Sequence, residues 1–89
     1  MILVAHRINT IDKLKKLDKK YGVEIDIRDK GKNLFIVHDP FKKGILIKSF
    51  LKHYDHKLII ANIKSERIED SVIKIFNKIN IKNYFILDS

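Results

Sequence analysis

The sequence predicts an α/β domain with a mainly parallel sheet covered by helices. Two observations carry that reading. Short apolar runs alternate with stretches whose apolar residues recur at helical spacing, and the runs at 1–5, 58–61 and 84–87 are apolar throughout, as strands covered on both faces are. Between them, residues 23–28 alternate apolar and charged, which marks a strand with two unlike faces.

Taken in order, residues 1–5 read as a buried strand. Thr10 offers a hydroxyl to cap a helix with Ile11, Leu14, Leu17 and Tyr21 on one face, Lys19 and Lys20 in its last turn and Gly22 as its stop. Val23, Ile25 and Ile27 then alternate with Glu24, Asp26 and Arg28 in a second strand. Residues 29–33 form a turn in which Gly31 takes positive φ. A strand follows at 34–37, closed by His38, Asp39 and Pro40, because a proline biases the residue before it away from helix. Ile47, Phe50, Leu51 and Tyr54 predict a second helix, and Leu58 to Ala61 with Ile63 a further strand. Ser65 is placed to cap a third helix, with Glu66, Glu69 and Asp70 near its positive end and Ile68, Val72, Ile75, Phe76 and Ile79 as its apolar face. Residues 84–87 read as the last strand. His53 and His56 read as exposed groups near the end of the second helix.

Composition bounds the class. The 89 residues are 45% hydrophobic and 34% charged, a globular balance. The chain reads as one domain, 1–89, with a core small for its surface. There is no Cys, so no disulfide supports the fold, which suits a reducing cytoplasm. The opening apolar run is too short for a secretory signal, and no run approaches the roughly 20 residues needed to cross a bilayer. The net charge of +8 could draw nucleic acid, anionic lipid or a phosphorylated small molecule. Most of that surplus is scattered Lys, which argues against a nucleic-acid partner and for a solvated surface.

The functional signal is where polar residues meet strand ends. His6 and Arg7 close the first strand. Glu24 and Asp26, two apart, share one face of the second. His38 and Asp39 close the next, and Asn62 and Lys64, again two apart, close the one after. Carboxyl ends of parallel strands gather on one rim, the place where barrel active sites lie. Singly, each has a plain structural alternative: Glu24 and Asp26 suit the solvated face of an edge strand, lone histidines are usually structural, and one Lys in so Lys-rich a chain says nothing. As a set on successive strand ends, they suit metal-assisted phosphoryl chemistry.

The stretches Val4-Ala5-His6-Arg7, Asn9-Thr10, Gly22-Val23-Glu24-Ile25-Asp26, Asp29-Lys30-Gly31, Val37-His38-Asp39 and Asn62-Ile63-Lys64 resemble, in order and approximate spacing, the glycerophosphodiester phosphodiesterase family of the phosphatidylinositol-phospholipase-C-like superfamily. The resemblance runs through essentially the whole chain. It implies a partial (β/α)8 TIM-type barrel: roughly the first four strands, with an extra strand after the second. It further implies His6 and His38 as the acid/base pair, Arg7 and Lys64 on the substrate phosphate, and Glu24, Asp26 and Asn62 around a divalent cation, Mg²⁺ or Ca²⁺. Asp39 is expected to support its loop. The implied partner is a small phosphodiester.

Three departures from the family pattern stand out. The loop between His6-Arg7 and Asn9-Thr10 is short and lacks the family's Pro-Glu. Asn62 stands where a third carboxylate is expected. A whole barrel has eight units and about 250 residues, so the chain reads either as a fragment of a longer barrel or as a shortened relative that is inactive or is completed by self-association or by a complementing carboxyl-terminal half. The competing expectations are a non-catalytic module that binds phosphate ligands or a protein, and a small basic nucleic-acid binder.

Overall fold

The computed structural model describes residues 1–88. The elements are β1 (Val4–Ala5), α1 (Ile11–Lys16), β2 (Gly22–Lys30), β3 (Asn33–Ile36), β4 (Ile45–Leu46), α2 (Ile47–Leu51), β5 (Leu58–Ile63), α3 (Glu69–Lys78) and β6 (Tyr84–Asp88). They build a small mixed α/β domain around one sheet, ordered β4-β3-β2-β5-β6, with β1 beside the first half of β2. Strands β1, β2, β5 and β6 run parallel and lie side by side in chain order. The β3–β4 hairpin is antiparallel and takes over the edge of β2 where β1 leaves it.

Alternation along the strands separates two faces. Val23, Ile25 and Ile27 of β2 join Ile59, Ala61 and Ile63 of β5 on the face that the helices cover. Leu14 from α1, Phe50 from α2, and Val72 and Phe76 from α3 complete the same cluster, all fully buried. Residues two apart in a strand share a face, so Glu24, Asp26, Ile60, Asn62, Phe85 and Leu87 stand on the other side. That side carries no helix among the described residues, and Phe85 and Leu87 are 61% and 47% exposed there.

Local chemistry explains where elements begin and end. Thr10 caps α1, its Oγ1 accepting from the Lys13 N–H at 3.1 Å. The helix stops at Lys16, earlier than periodicity predicts, because the Asp18 carboxylate captures the Lys20 N–H at 2.9 Å and folds the chain into a turn. Gly22 therefore opens β2 and does not terminate a helix. Gly31 adopts φ 61° in the two-residue loop that joins β2 to β3, the left-handed conformation such hairpins need. At Gly44 a Cβ would come within 2.6 Å of the Ile36 carbonyl oxygen, so the approach into β4 admits only glycine.

The second helix covers five residues, and Tyr54 follows it in a turn, its N–H donating to the Leu51 carbonyl. Tyr54 still packs against the core, and burial, then the neighbouring Asp55, push its phenol up to about 12. Ser65 does not cap the third helix. Its Oγ accepts from the Asp29 N–H instead, and α3 starts at Glu69 with no side-chain cap. The end of α3 is a Schellman motif: Asn80, at φ 63°, donates to Asn77, and Ile81 donates to the Phe76 carbonyl at 2.9 Å. His56 is half-buried, not exposed as expected, with Nε2 3.0 Å from the Leu17 carbonyl oxygen. No helix among the described residues is long and apolar enough to cross a membrane.

Candidate active site

Asp26 is the center of the polar rim and the one charged side chain buried in the described residues, at 1% exposure. It lies where β1 and β3 diverge along β2. The Ile8 N–H still reaches the Glu24 carbonyl at 2.8 Å, continuing the β1 ladder, and the Val37 N–H reaches the Asp26 carbonyl at 3.0 Å, opening the β3 ladder. Between them the side chain of Asn9 stands in for backbone. Its Oδ1 accepts from the Asp26 N–H at 3.0 Å, and its Nδ2 donates to Asp26 Oδ2 at 2.9 Å. A buried carboxylate needs such partners. The ammonium of Lys64 adds charge compensation 3.8 Å from Oδ1, an ion pair longer than a hydrogen bond.

Glu24 sits two residues earlier on the same face, 17% exposed, with Oε2 3.3 Å from Nδ1 of His6. That contact follows from topology: β1 and β2 pair in parallel with Ala5 opposite Val23, so the next residues, His6 and Glu24, meet on the open face. Asn62 pairs with Asp26 across the β2–β5 ladder and shares its face. Glu24 and Asp26 therefore belong to a central strand, not to the solvated face of an edge strand. His6, Glu24, Asp26, Asn62 and Lys64 occupy one face at the carboxyl ends of three adjacent parallel strands.

Arg7 and His38 stand apart from those contacts. Arg7 takes φ 52°, a conformation that costs a side-chain-bearing residue energy, and it links His6 on the open face to Ile8 in the core. Its exposed guanidinium has no hydrogen-bond or ion-pair partner among the described residues. His38 follows β3, its carbonyl accepting from Arg28 Nε at 3.0 Å while its imidazole stays exposed. It lines an open cleft of about 670 Å³ with Asn9, Thr10, Val37, Lys42 and Lys43. Asp39 accepts from the Phe41 N–H at 2.8 Å, tying down the loop that carries His38.

Two residues belong to this site that sequence reasoning did not assign to it. Asn9 was named only with Thr10 among the stretches of the family resemblance, with no role in the site, and its contact with Asp26 spans 17 positions, beyond any local pattern. Arg28 was visible as the third polar member of the alternation in β2, and that signal could have placed it.

As a donor set, Glu24, Asp26 and the Asn62 amide offer oxygen only, which suits a hard divalent cation. One oxygen of Asp26 is committed to Asn9. Among the described residues no three His, Cys, Asp or Glu side chains come together in one group. Compared with known proteins, the chain matches no family model, no curated protein and no solved structure.

Proposed function

We propose that this chain forms one side of the active site of a metal-assisted phosphodiesterase of the glycerophosphodiester type, on one half of a (β/α)8 barrel. The observation that carries the reading is the pairing of His6 with Glu24 and of Lys64 with Asp26, on one open face at adjacent strand ends. The order of four parallel strands, each beside its predecessor, with helices on one face only, supports the half-barrel.

In this reading hydrolysis is an attack of water on phosphorus that breaks the bond to the leaving alcohol. One imidazole accepts the proton of the water and the other returns one to the leaving oxygen. His6 suits either part: Glu24 lies at Nδ1 and orients the ring, and Nε2 remains for the substrate. His38 is the second imidazole, carried on the Asp39 loop. The free guanidinium of Arg7 binds phosphate oxygens by charge-assisted hydrogen bonds, and Lys64 adds positive charge beside them. A Mg²⁺ or Ca²⁺ ion held by Glu24, Asp26 and the Asn62 oxygen would neutralize charge on the phosphate.

A second reading, a phosphate-binding module without turnover, is favored by a specific pair of facts. An uncharged amide, Asn62, stands beside Asp26, and Lys64 already offsets the Asp26 charge. Hydrolysis of glycerophosphodiesters with Mg²⁺ or Ca²⁺, run beside a titration with glycerol phosphate, separates the two. Turnover that collapses in His38→Ala supports the enzyme. Glycerol phosphate binding that survives His38→Ala, with no turnover, supports the module. Neither turnover nor binding, with any metal tried, ends both.

A further inference from the structure

The sheet has two free parallel edges. Among the described residues β1 pairs only with β2, and β6 pairs only with β5. Natural edge strands are usually protected by charge, proline or a bulge, yet residues 1–4 are Met-Ile-Leu-Val and residues 84–87 are Tyr-Phe-Ile-Leu. Met1, Ile2, Leu3, Phe85 and Leu87 are all exposed. Ile2, Leu58 and Phe85 border a hollow of about 430 Å³ that Tyr84, Asn83, Lys57 and Lys82 also line. Exposed apolar surface of this kind marks an association site.

We infer that two copies of this chain close on each other, β6 of each pairing in parallel with β1 of the other. Four parallel strands from each copy then make eight, the number that closes a barrel whose interior side chains can fill. A two-fold axis along the strands generates both seams at once, so the assembly stops at two copies. Charge fits the seam as well. The exposed Asp88 ends β6 on the same rim where the unpartnered Arg7 ends β1, and edge pairing brings these ends side by side. The two polar rims then face each other across one mouth. The inference rests on the half-barrel geometry but not on catalysis, since the exposed apolar edges would associate whether or not the rim turns over a substrate.

The test is the mass of the 89-residue chain in solution, by light scattering and sedimentation, beside its circular dichroism. The expected mass is twice the 10.5 kDa of one chain. Ile2→Lys and Phe85→Glu, both on the open face, each halve it while the helical spectrum is kept. An equimolar mixture of the two variants regains it, because one seam is then unchanged and the other joins Lys to Glu. Ile79→Lys, an exposed apolar residue on the helical side, leaves the mass of the dimer as it is. A monomer at all concentrations overturns the inference, as do filaments. A dimer indifferent to Ile2→Lys but broken by Phe85→Glu also overturns it, because that pattern means β6 pairs with β6. A monomer that dimerizes only with an added carboxyl-terminal extension assigns the open face to that segment and overturns it too.

Discussion

The two faces of the sheet solve different problems with the same backbone. The helical face is closed: Val23, Ile25, Ile27, Ile59, Ala61 and Ile63 meet Leu14, Phe50, Val72 and Phe76 in one cluster that excludes water. The opposite face is divided across the strands, with Glu24 and Asp26 on β2 and Phe85 and Leu87 at the same two levels on β6. Stability should come from the first face, and binding, chemistry and assembly from the second. The difference teaches that a two-residue period lets one strand, β2, serve both tasks with no compromise in either. Asp26 is the exception, a buried charge on the working face.

The comparison can be broken by substitution. Phe50→Ala should be the most damaging, at about 3–5 kcal/mol, since it empties a fully buried site, and loss of the cooperative thermal transition would report it. Asp26→Ala comes next, on the order of 2–3 kcal/mol, because Asn9 loses its partner and Lys64 its counter-ion. Denaturant titration measures it, and a cost near zero would remove Asp26 from the scaffold. Arg7→Gly should act the other way, stabilizing by up to about 1 kcal/mol as the positive φ is relieved, while affinity for glycerol phosphate falls. That opposition of stability and binding is the signature of strain kept at a working site. His6→Ala should shift the melting temperature very little, because exposed ion pairs contribute at most about 1 kcal/mol. The smallest effect belongs to Tyr54. Its phenol ionizes only near pH 12, so whatever stability its neutral form confers is complete below pH 10 and is lost as pH rises through 12. In an ultraviolet titration the late tyrosinate step should vanish in Tyr54→Phe.

Sequence period made the first contrast legible and left the second half-written. The alternation of Val23, Ile25 and Ile27 with Glu24, Asp26 and Arg28 assigned the faces of β2 before any coordinates, and Thr10 announced α1. Competition between local hydrogen bonds hid the rest. Asp18 ended α1 early because its carboxylate took an N–H that a longer helix would have used, and Ser65 gave its hydroxyl to Asp29 and not to α3. The two-residue strand β4 carries too few positions to show a period. At the site, shared faces were readable from spacing, but which groups touch depended on contacts remote in sequence. Asn9 with Asp26 and His56 with Leu17 are of that kind.

The amide of Asn9 works as a splice in the sheet: one side chain substitutes for a missing length of strand and, with its other atom, holds the acid that the gap would have left bare. A splice of this sort fixes the distance it must bridge. Residues 7–9 could not be lengthened without withdrawing the amide from Asp26, so the brevity of this connection is a condition of the rim's assembly. Any tolerance for inserted residues should lie elsewhere, in the hairpin beyond Lys30 or the segment that carries His38.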